Sequence, residues 1–287
     1  MRAVTIDLHA HTHASDGSLA PADVVARAAA RGVTTLAITD HDTLGGVGEA
    51  NAAGAGLGVT IIPGIELSVR APQGQLHIVA YLPSCDPPAL RDLLRDLRRA
   101  RVIRAERIAS RLAELGAPID IAAVQAAARG SVGRPHLADA LVAAGHADDR
   151  ADAFARLLGD DAPAFIPHEL LTPRAAIAAV GATGGITTLA HPGTLHLGLR
   201  GLESYVAHLR HLGLWGIEVH RAEHTPDQHA GYARIARRLG LVATGGSDFH
   251  GPATGRSDLG ETGTPPLPEA VADRVHSALK DRVASGP

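Results

Sequence analysis

Seven short runs of aliphatic and β-branched residues recur along this 287-residue chain, and each contains or leads into a histidine, aspartate or glutamate. The runs are Val4–His9, Thr35–Asp40, Val59–Ile62 continuing into Gly64-Ile65-Glu66-Leu67, Leu76–Leu82, Ile186–Ala190, Gly216–Val219 and Val242–Gly245. They read as strands. Helical patterns separate most of them: Pro21–Arg31, Gly45–Ala53, Pro173–Ala182, Leu202–Leu212, Pro226–Leu239 and Pro268–Val283. Several start on proline, which suits a first helical turn. Gln73-Gly74 reads as a turn between the third and fourth strands. This alternation predicts an α/β chain with a largely parallel sheet or barrel.

One stretch breaks the alternation. Residues 88–162 carry helical patterns at Ala89–Leu115, Ile119–Arg129, Pro135–Ala144 and Arg150–Leu158, with few strand signals. We therefore expect a helical insertion, or cap, at 88–162 between strands four and five of a barrel formed by 1–87 and 163–287.

In parallel β/α barrels the carboxyl ends of the strands converge on one face. The polar residues at the strand ends, with His77 inside the fourth strand, are therefore expected to meet: His9 and His11; Asp40, His41 and Asp42; Glu66; His77; His191; His220; Asp248 and His250. Taken singly, most have an ordinary explanation. Asp16 and Asp40 suit caps or turns, and His77 suits a satisfied core position. Glu66, between Ile65 and Leu67, is harder to explain so, because a carboxylate in a buried strand is costly unless paired or bound to a metal. The chain holds 17 histidines but one cysteine, Cys85. Imidazole and carboxylate ligation without thiolate suits manganese, iron or zinc, and excludes a thiolate cluster.

Net charge is −3 and aromatics are 2% of residues. Neither a broad surface for long nucleic acid nor an extended base-stacking platform is expected. No apolar run reaches a membrane span, and the first residues lack signal-peptide anatomy, so the expected setting is cytoplasmic.

The stretches DLHAHTHASDG, ITDHDT, GIELS, LHIVAYL, LAHPG and GSDFHG, in this order, resemble the PHP (polymerase and histidinol phosphatase) family over nearly the whole chain. The resemblance implies a distorted seven-stranded β/α barrel with up to three divalent metals. It implies that His9, His11, Glu66 and Asp248 hold the first ion. Glu66, His77 and His191 hold the second, and Asp16, His41 and His250 the third. Manganese is the first choice by resemblance, with iron(II) and zinc as alternatives. Aspartate at position 16, with GIELS, GRPH and the helical insertion, resembles one subgroup. That subgroup includes phosphatases that remove the 3′-phosphate of 3′,5′-nucleotide bisphosphates, and 5′-to-3′ exoribonucleases acting on short RNA.

Three divalent ions against Asp16, Glu66 and Asp248 leave about three positive charges, which favours a phosphate. The expected reaction is phosphomonoester hydrolysis of a small nucleotide by a metal-bridging hydroxide, with no protein nucleophile. Short oligonucleotide cleavage, a non-catalytic metal-binding module and histidinol-phosphate hydrolysis are the alternatives. Candidate substrate contacts are Arg134 and His136, which open a helix in the insertion; His168, where the insertion rejoins the barrel; and His224, read as a protonated imidazole able to bind phosphate or act as an acid. Asp42 is read as orienting a metal histidine or capping a turn. Trp215 and Phe249 are within possible reach of a base, with core packing the expected role for Trp215. Relatives often carry Arg and an aromatic where Thr194 and Leu195 stand, and Tyr where His220 stands; Arg200 is the nearby candidate substitute.

Alternation in an extended strand puts His9, His11 and His13 on one face, yet His13 matches no ligand position in the resemblance. His13→Ala is expected to keep all bound metal while His11→Ala does not. Metal analysis of the two purified variants checks this, and equal loss in both would contradict it.

Overall fold

A computed structural model describes residues 5–168, 170–252 and 255–285. Val4, at the start of the first expected strand, lies outside them. Seven strands form one sheet in sequential order: β1 (Thr5–Ala10), β2 (Val33–Ile38), β3 (Thr60–Val69), β4 (Leu76–Tyr81), β5 (Ile186–Leu189), β6 (Gly216–His220) and β7 (Val242–Gly245). Helices α1 (Pro21–Ala30) and α2 (Val47–Leu57) follow β1 and β2. In the second half, α7 (Pro173–Gly181), α8 (Leu199–His211) and α9 (Pro226–Leu239) precede β5, β6 and β7, and α10 (Ala270–Ser285) ends the described chain. The local reasons are ordinary. In α9, for example, Thr225 and Gln228 make a reciprocal capping box, Pro226 takes the first turn, and Gly240 ends the helix with φ +64°.

The sheet is rolled. Apolar side chains from β1 (Ile6, Leu8), β2 (Ala37), β3 (Ile62), β4 (Val79, Tyr81), β5 (Ile186) and β7 (Val242) share one buried cluster with Val271, Val275 and Leu279 of α10. Strands that are neighbours only at a distance along the sheet thus share one inner face. The edges also meet. Ala10 bridges Phe249 in parallel, the Asp248 N–H donates to the His9 carbonyl (2.9 Å) and the His11 N–H to the Phe249 carbonyl (2.8 Å). This is the distorted barrel expected from the sequence.

The sheet is not uniformly parallel. β4 runs antiparallel to both β3 and β5, while the other four ladders are parallel. The turn at Gln73-Gly74 makes β3 and β4 a hairpin, which forces that reversal. Its consequence is functional. His77 is the second residue of β4 and pairs with Ser68 near the end of β3, so the reversed strand delivers it to the face where the other strands end.

Between β4 and β5 the chain forms α3 (Arg91–Glu114), α4 (Ile121–Ala127), α5 (Arg134–Ala143) and a short turn, α6 (Arg150–Ala153), that continues as a π-helical turn over Phe154–Leu158. Ile108 and Leu112 of α3 pack with Val124, Leu137, Leu141 and Leu158 in a separate apolar cluster. The first half of α3, through Leu94 and Leu97, packs into the barrel's outer core. One helix therefore belongs to both. Trp215 packs against the inner cluster, as expected, and Phe249 is fully buried, so it is a core residue out of reach of any base. Among the described residues, no helix is long and apolar enough to cross a membrane.

Candidate metal centre

The ends of the strands bring three groups of ligand atoms together. The first is His9, His11, Glu66 and Asp248, all buried. Its atoms crowd one point: His9 Nε2 lies 3.1 Å from His11 Nε2, 3.3 Å from Glu66 Oε2 and 3.3 Å from Asp248 Oδ1. His11 Nε2 lies 3.2 Å from each of the same two oxygens. Four ligand atoms placed tetrahedrally around an ion at about 2.0–2.1 Å are about 3.3–3.4 Å apart. The observed spacings are close to that pattern.

The second group is His41, Glu66 and His77, and His191 adjoins it. Glu66 Oε1 lies 3.0 Å from His77 Nδ1 and 2.9 Å from His191 Nε2, and the two imidazole nitrogens are 3.3 Å apart. The third group is His11, Asp16, His41 and His250. Here His250 Nε2 is 3.4 Å and His41 Nε2 3.8 Å from an Asp16 oxygen. Asp16 Oδ1 and His41 Nδ1 are buried without a hydrogen bond of good geometry, their nearest polar neighbours being His250 Nε2 at 3.4 Å and Glu66 Oε2 at 3.2 Å. Buried polar atoms are almost always satisfied, so these orphans fit residues that await a cation.

The loops that carry these ligands are held by buried carboxylates. Asp40 accepts from the Thr12 N–H (2.8 Å), Thr12 Oγ1 (2.8 Å) and Ser15 Oγ (2.6 Å), which fixes the turn that presents Asp16. Asp7 accepts from the N–H groups of Ser247 and Gly260, both at 2.9 Å, and ties β1 to the loop bearing Asp248. Asp248 itself has φ +53°, an uncommon backbone for a non-glycine residue and one found at functional sites. Gly246 permits the close approach: a Cβ there would meet the His9 backbone N at 2.5 Å.

Above the ligand cluster lies a cavity of about 680 Å³. Its floor is Asp16, His41, Glu66, His77, His191, Asp248 and His250. Its opposite wall comes from the helical stretch and the segment that follows: Arg101, Arg104, Arg134, Phe154, Phe165 and His168. The arginines are anchored. Arg101 donates to Asp42 Oδ2 (2.6 Å) and Ser68 Oγ (2.9 Å), and Arg134 to Asp160 Oδ1 (2.6 Å). Arg104 donates to the Ile166 carbonyl (2.8 Å) and has no carboxylate partner among the described residues.

Residues 7–160 match the family described as PHP domain. The chain is 35% identical to a 3′,5′-nucleoside bisphosphate phosphatase of Chromobacterium violaceum over 90% of this chain and 91% of that one. The chain belongs to the PHP family. It is also 36% identical to the 5′-3′ exoribonuclease Rnm of Escherichia coli, over 87% and 86% of the two chains. A solved structure from Bifidobacterium adolescentis, classed as a metal-dependent phosphoesterase, superposes with a TM-score of 0.87 at 32% identity over 96% of each chain. This PHP chain is a metal-dependent hydrolase with candidate His/Asp/Glu metal clusters.

Within this PHP site, the nine residues singled out as ligands all lie in or against the three groups. Two residues appear beyond the expected sets: His11 reaches the third group and His41 the second. His13 joins none of them. It is partly buried and lines a smaller neighbouring cavity with Asp16, His136 and Arg150.

The substrate-side expectations divide. Arg134 and His168 line the main cavity. His136 instead caps its own helix, accepting from the Gly133 N–H at Nδ1 (3.1 Å), and faces the smaller cavity. His224 is turned away: Nδ1 donates to the Val219 carbonyl (2.9 Å) and its ring packs edge-on against Tyr232. Burial lowers its pKa, which disfavours the protonated imidazole expected there. Arg200 is exposed at the start of α8, outside the cavity lining. Arg221 and Arg256 line the cavity instead, each donating to Asp248 Oδ2, at 3.2 and 3.3 Å. Asp42 orients no histidine; it anchors Arg101. His220 Nδ1 donates to the Pro265 carbonyl (3.1 Å), away from the ligands.

Sequence reasoning missed the cavity arginines Arg101, Arg104, Arg221 and Arg256, and it missed Glu218. It is fully buried in β6, with His9 Nδ1 at 2.7 Å. The signal was present, since a glutamate between Ile217 and Val219 is as costly as Glu66.

Without a cation, protons take its place. Burial alone would lower the His11 imidazole, but hydrogen bonds to Asp248 and Glu66 outweigh it and push the pKa up to about 9. His9 is likewise raised well above its usual value, against burial, by Glu218, Glu66 and Asp248. A group with a raised pKa is protonated below that value, so an ion must displace the His11 proton at neutral pH. Metal affinity should therefore rise with pH up to about 9, by about tenfold per pH unit for each proton displaced. Calorimetric titration in buffers of different ionisation enthalpy reads the released protons directly. Affinity independent of pH, with no proton release, would contradict this.

Proposed function

We propose that this PHP chain removes the 3′-phosphate from nucleoside 3′,5′-bisphosphates. The observation that carries this reading is the two-ended charge of one cavity. The imidazole–carboxylate floor suits metals that engage one phosphate, and the guanidinium wall suits a second anion. Burial and its neighbours Arg134 and Arg101 lower Arg104 to about 10, a repulsion that a bound phosphate would relieve. His168 is driven down to about 3 by burial and then by Arg101 and Arg104, so it stays neutral and adds no charge to the wall. Phe154 and Phe165, on the same wall as Arg134, offer aromatic surface for a nucleoside. Histidinol phosphate has only one phosphate and leaves the guanidinium wall without a partner.

Three divalent ions, manganese first, are part of the proposal. His9, His11, Glu66 and Asp248 would hold one, Glu66, His77 and His191 a second, and Asp16, His41 and His250 a third. When bound they supply Lewis acidity and neutralise phosphate charge. No protein nucleophile is required. Arg221 and Arg256, beside Asp248, are positioned to hold the oxygens of the phosphate under attack. The stretch 88–162 acts as a cap over the barrel of 1–87 and 163–287, in a cytoplasmic setting. A second reading, 5′-to-3′ cleavage of short RNA, is favoured by the likeness to Rnm and by the size of the cavity, about 680 Å³.

The test is phosphate release from adenosine 3′,5′-bisphosphate by the manganese-loaded protein, beside a 5′-phosphorylated RNA pentamer. Arg104→Gln should lower kcat/KM for the bisphosphate by about ten- to a hundredfold, the worth of a charge-assisted contact, with less effect on a nucleoside 3′-monophosphate. No phosphate release from the bisphosphate at full metal loading would overturn the first reading. Absence of mononucleotides from the pentamer would overturn the second.

A further inference from the structure

Glu218 touches two ligands that belong to different metal positions. Its Oε1 accepts from Nδ1 of His9 at 2.7 Å, which puts the proton on Nδ1 and leaves Nε2 for an ion. Its Oε2 accepts from the backbone N–H of His191 at 2.6 Å. That second contact bears on an unusual backbone. His191 has φ +25° and ψ +64°, a conformation that a side-chain-bearing residue adopts only when its surroundings impose it. Arg221 Nη1 bonds the same Oε2 at 3.3 Å and Arg221 Nη2 reaches Asp248 Oδ2 at 3.2 Å, so the strut extends to a third ligand. Glu218 itself belongs to none of the three ligand groups.

We infer that Glu218 is a positioning residue that organises the first and second metal positions jointly. It fixes the tautomer and direction of the His9 ring, and it locks the His191 loop in the strained form that aims Nε2 at Glu66. The third position has no such tie: no contact of Glu218 reaches Asp16, His41 or His250. This inference rests on the reading that the three groups hold ions.

The test compares wild type, Glu218→Ala and Glu218→Gln as metal-free proteins titrated with Mn²⁺. Anomalous scattering from crystals at limiting Mn²⁺ then gives the occupancy of each position. Loss of Glu218 should weaken the first and second positions together, by about ten- to a hundredfold, and leave the third at its wild-type occupancy. Glutamine preserves volume and one acceptor, so it should restore thermal stability and at most one of the two contacts. Wild-type occupancy at both positions in Glu218→Ala would overturn the inference, as would equal loss at all three, which marks a general structural role. Absence of Mn²⁺ from the wild type would instead sink the metal reading beneath it.

Discussion

Glu66 is the constraint around which the barrel end is arranged. Its carboxylate is buried on a hairpin strand, β3, and five imidazoles approach it. His77 and His191 lie within 3.0 Å of Oε1, and His9, His11 and His41 lie 3.2–3.3 Å from Oε2. A buried anion of this kind is tolerable only with positive charge beside it. In the metal-free protein the imidazoles of His9 and His11, their pKa raised, supply positive charge beside it; burial opposes ionisation of Glu66, but the surrounding imidazoles hold it well below the usual carboxylate range. The sequential strand order, the reversed β4 and the contact between β1 and the segment after β7 each bring one of those imidazoles into place.

The ligand set was legible because barrel geometry turns position along a strand into position in space. His9, His41, His191 and Asp248 stand at or just past strand ends, and Glu66 lies inside β3, which continues past it to Val69, so a coarse strand assignment was enough to group them. His77 was less transparent. Its place inside an apolar run suggested a core histidine until the Gln73-Gly74 turn reversed the strand. The polar residues that carry the ligands were harder still. Glu218 had the same signature as Glu66, a carboxylate among aliphatics, but its partners His9 and His191 are far off in sequence.

Side-chain direction was the main loss. His224 and Arg221 lie in one loop after β6, and only the backbone path decides that arginine enters the cavity while histidine turns to Tyr232. The arginines of α3 posed a similar problem. The helix carries many, and which face meets the barrel depends on its packing through Leu94 and Leu97. Arg101 and Arg104 follow from that packing about one and two turns after Leu97. Helix α3 thus does two tasks: its apolar face joins the barrel core, and its guanidinium groups complete the cavity wall.

The central claim is that Glu66 bridges metal ions, and anomalous diffraction from crystals grown with excess Mn²⁺ tests it most directly. The account predicts strong anomalous peaks on both sides of the Glu66 carboxylate, one among His9, His11 and Asp248 and one beside His77 and His191. Crystals that contain Mn²⁺ in solution but show no anomalous density at Glu66 would contradict it.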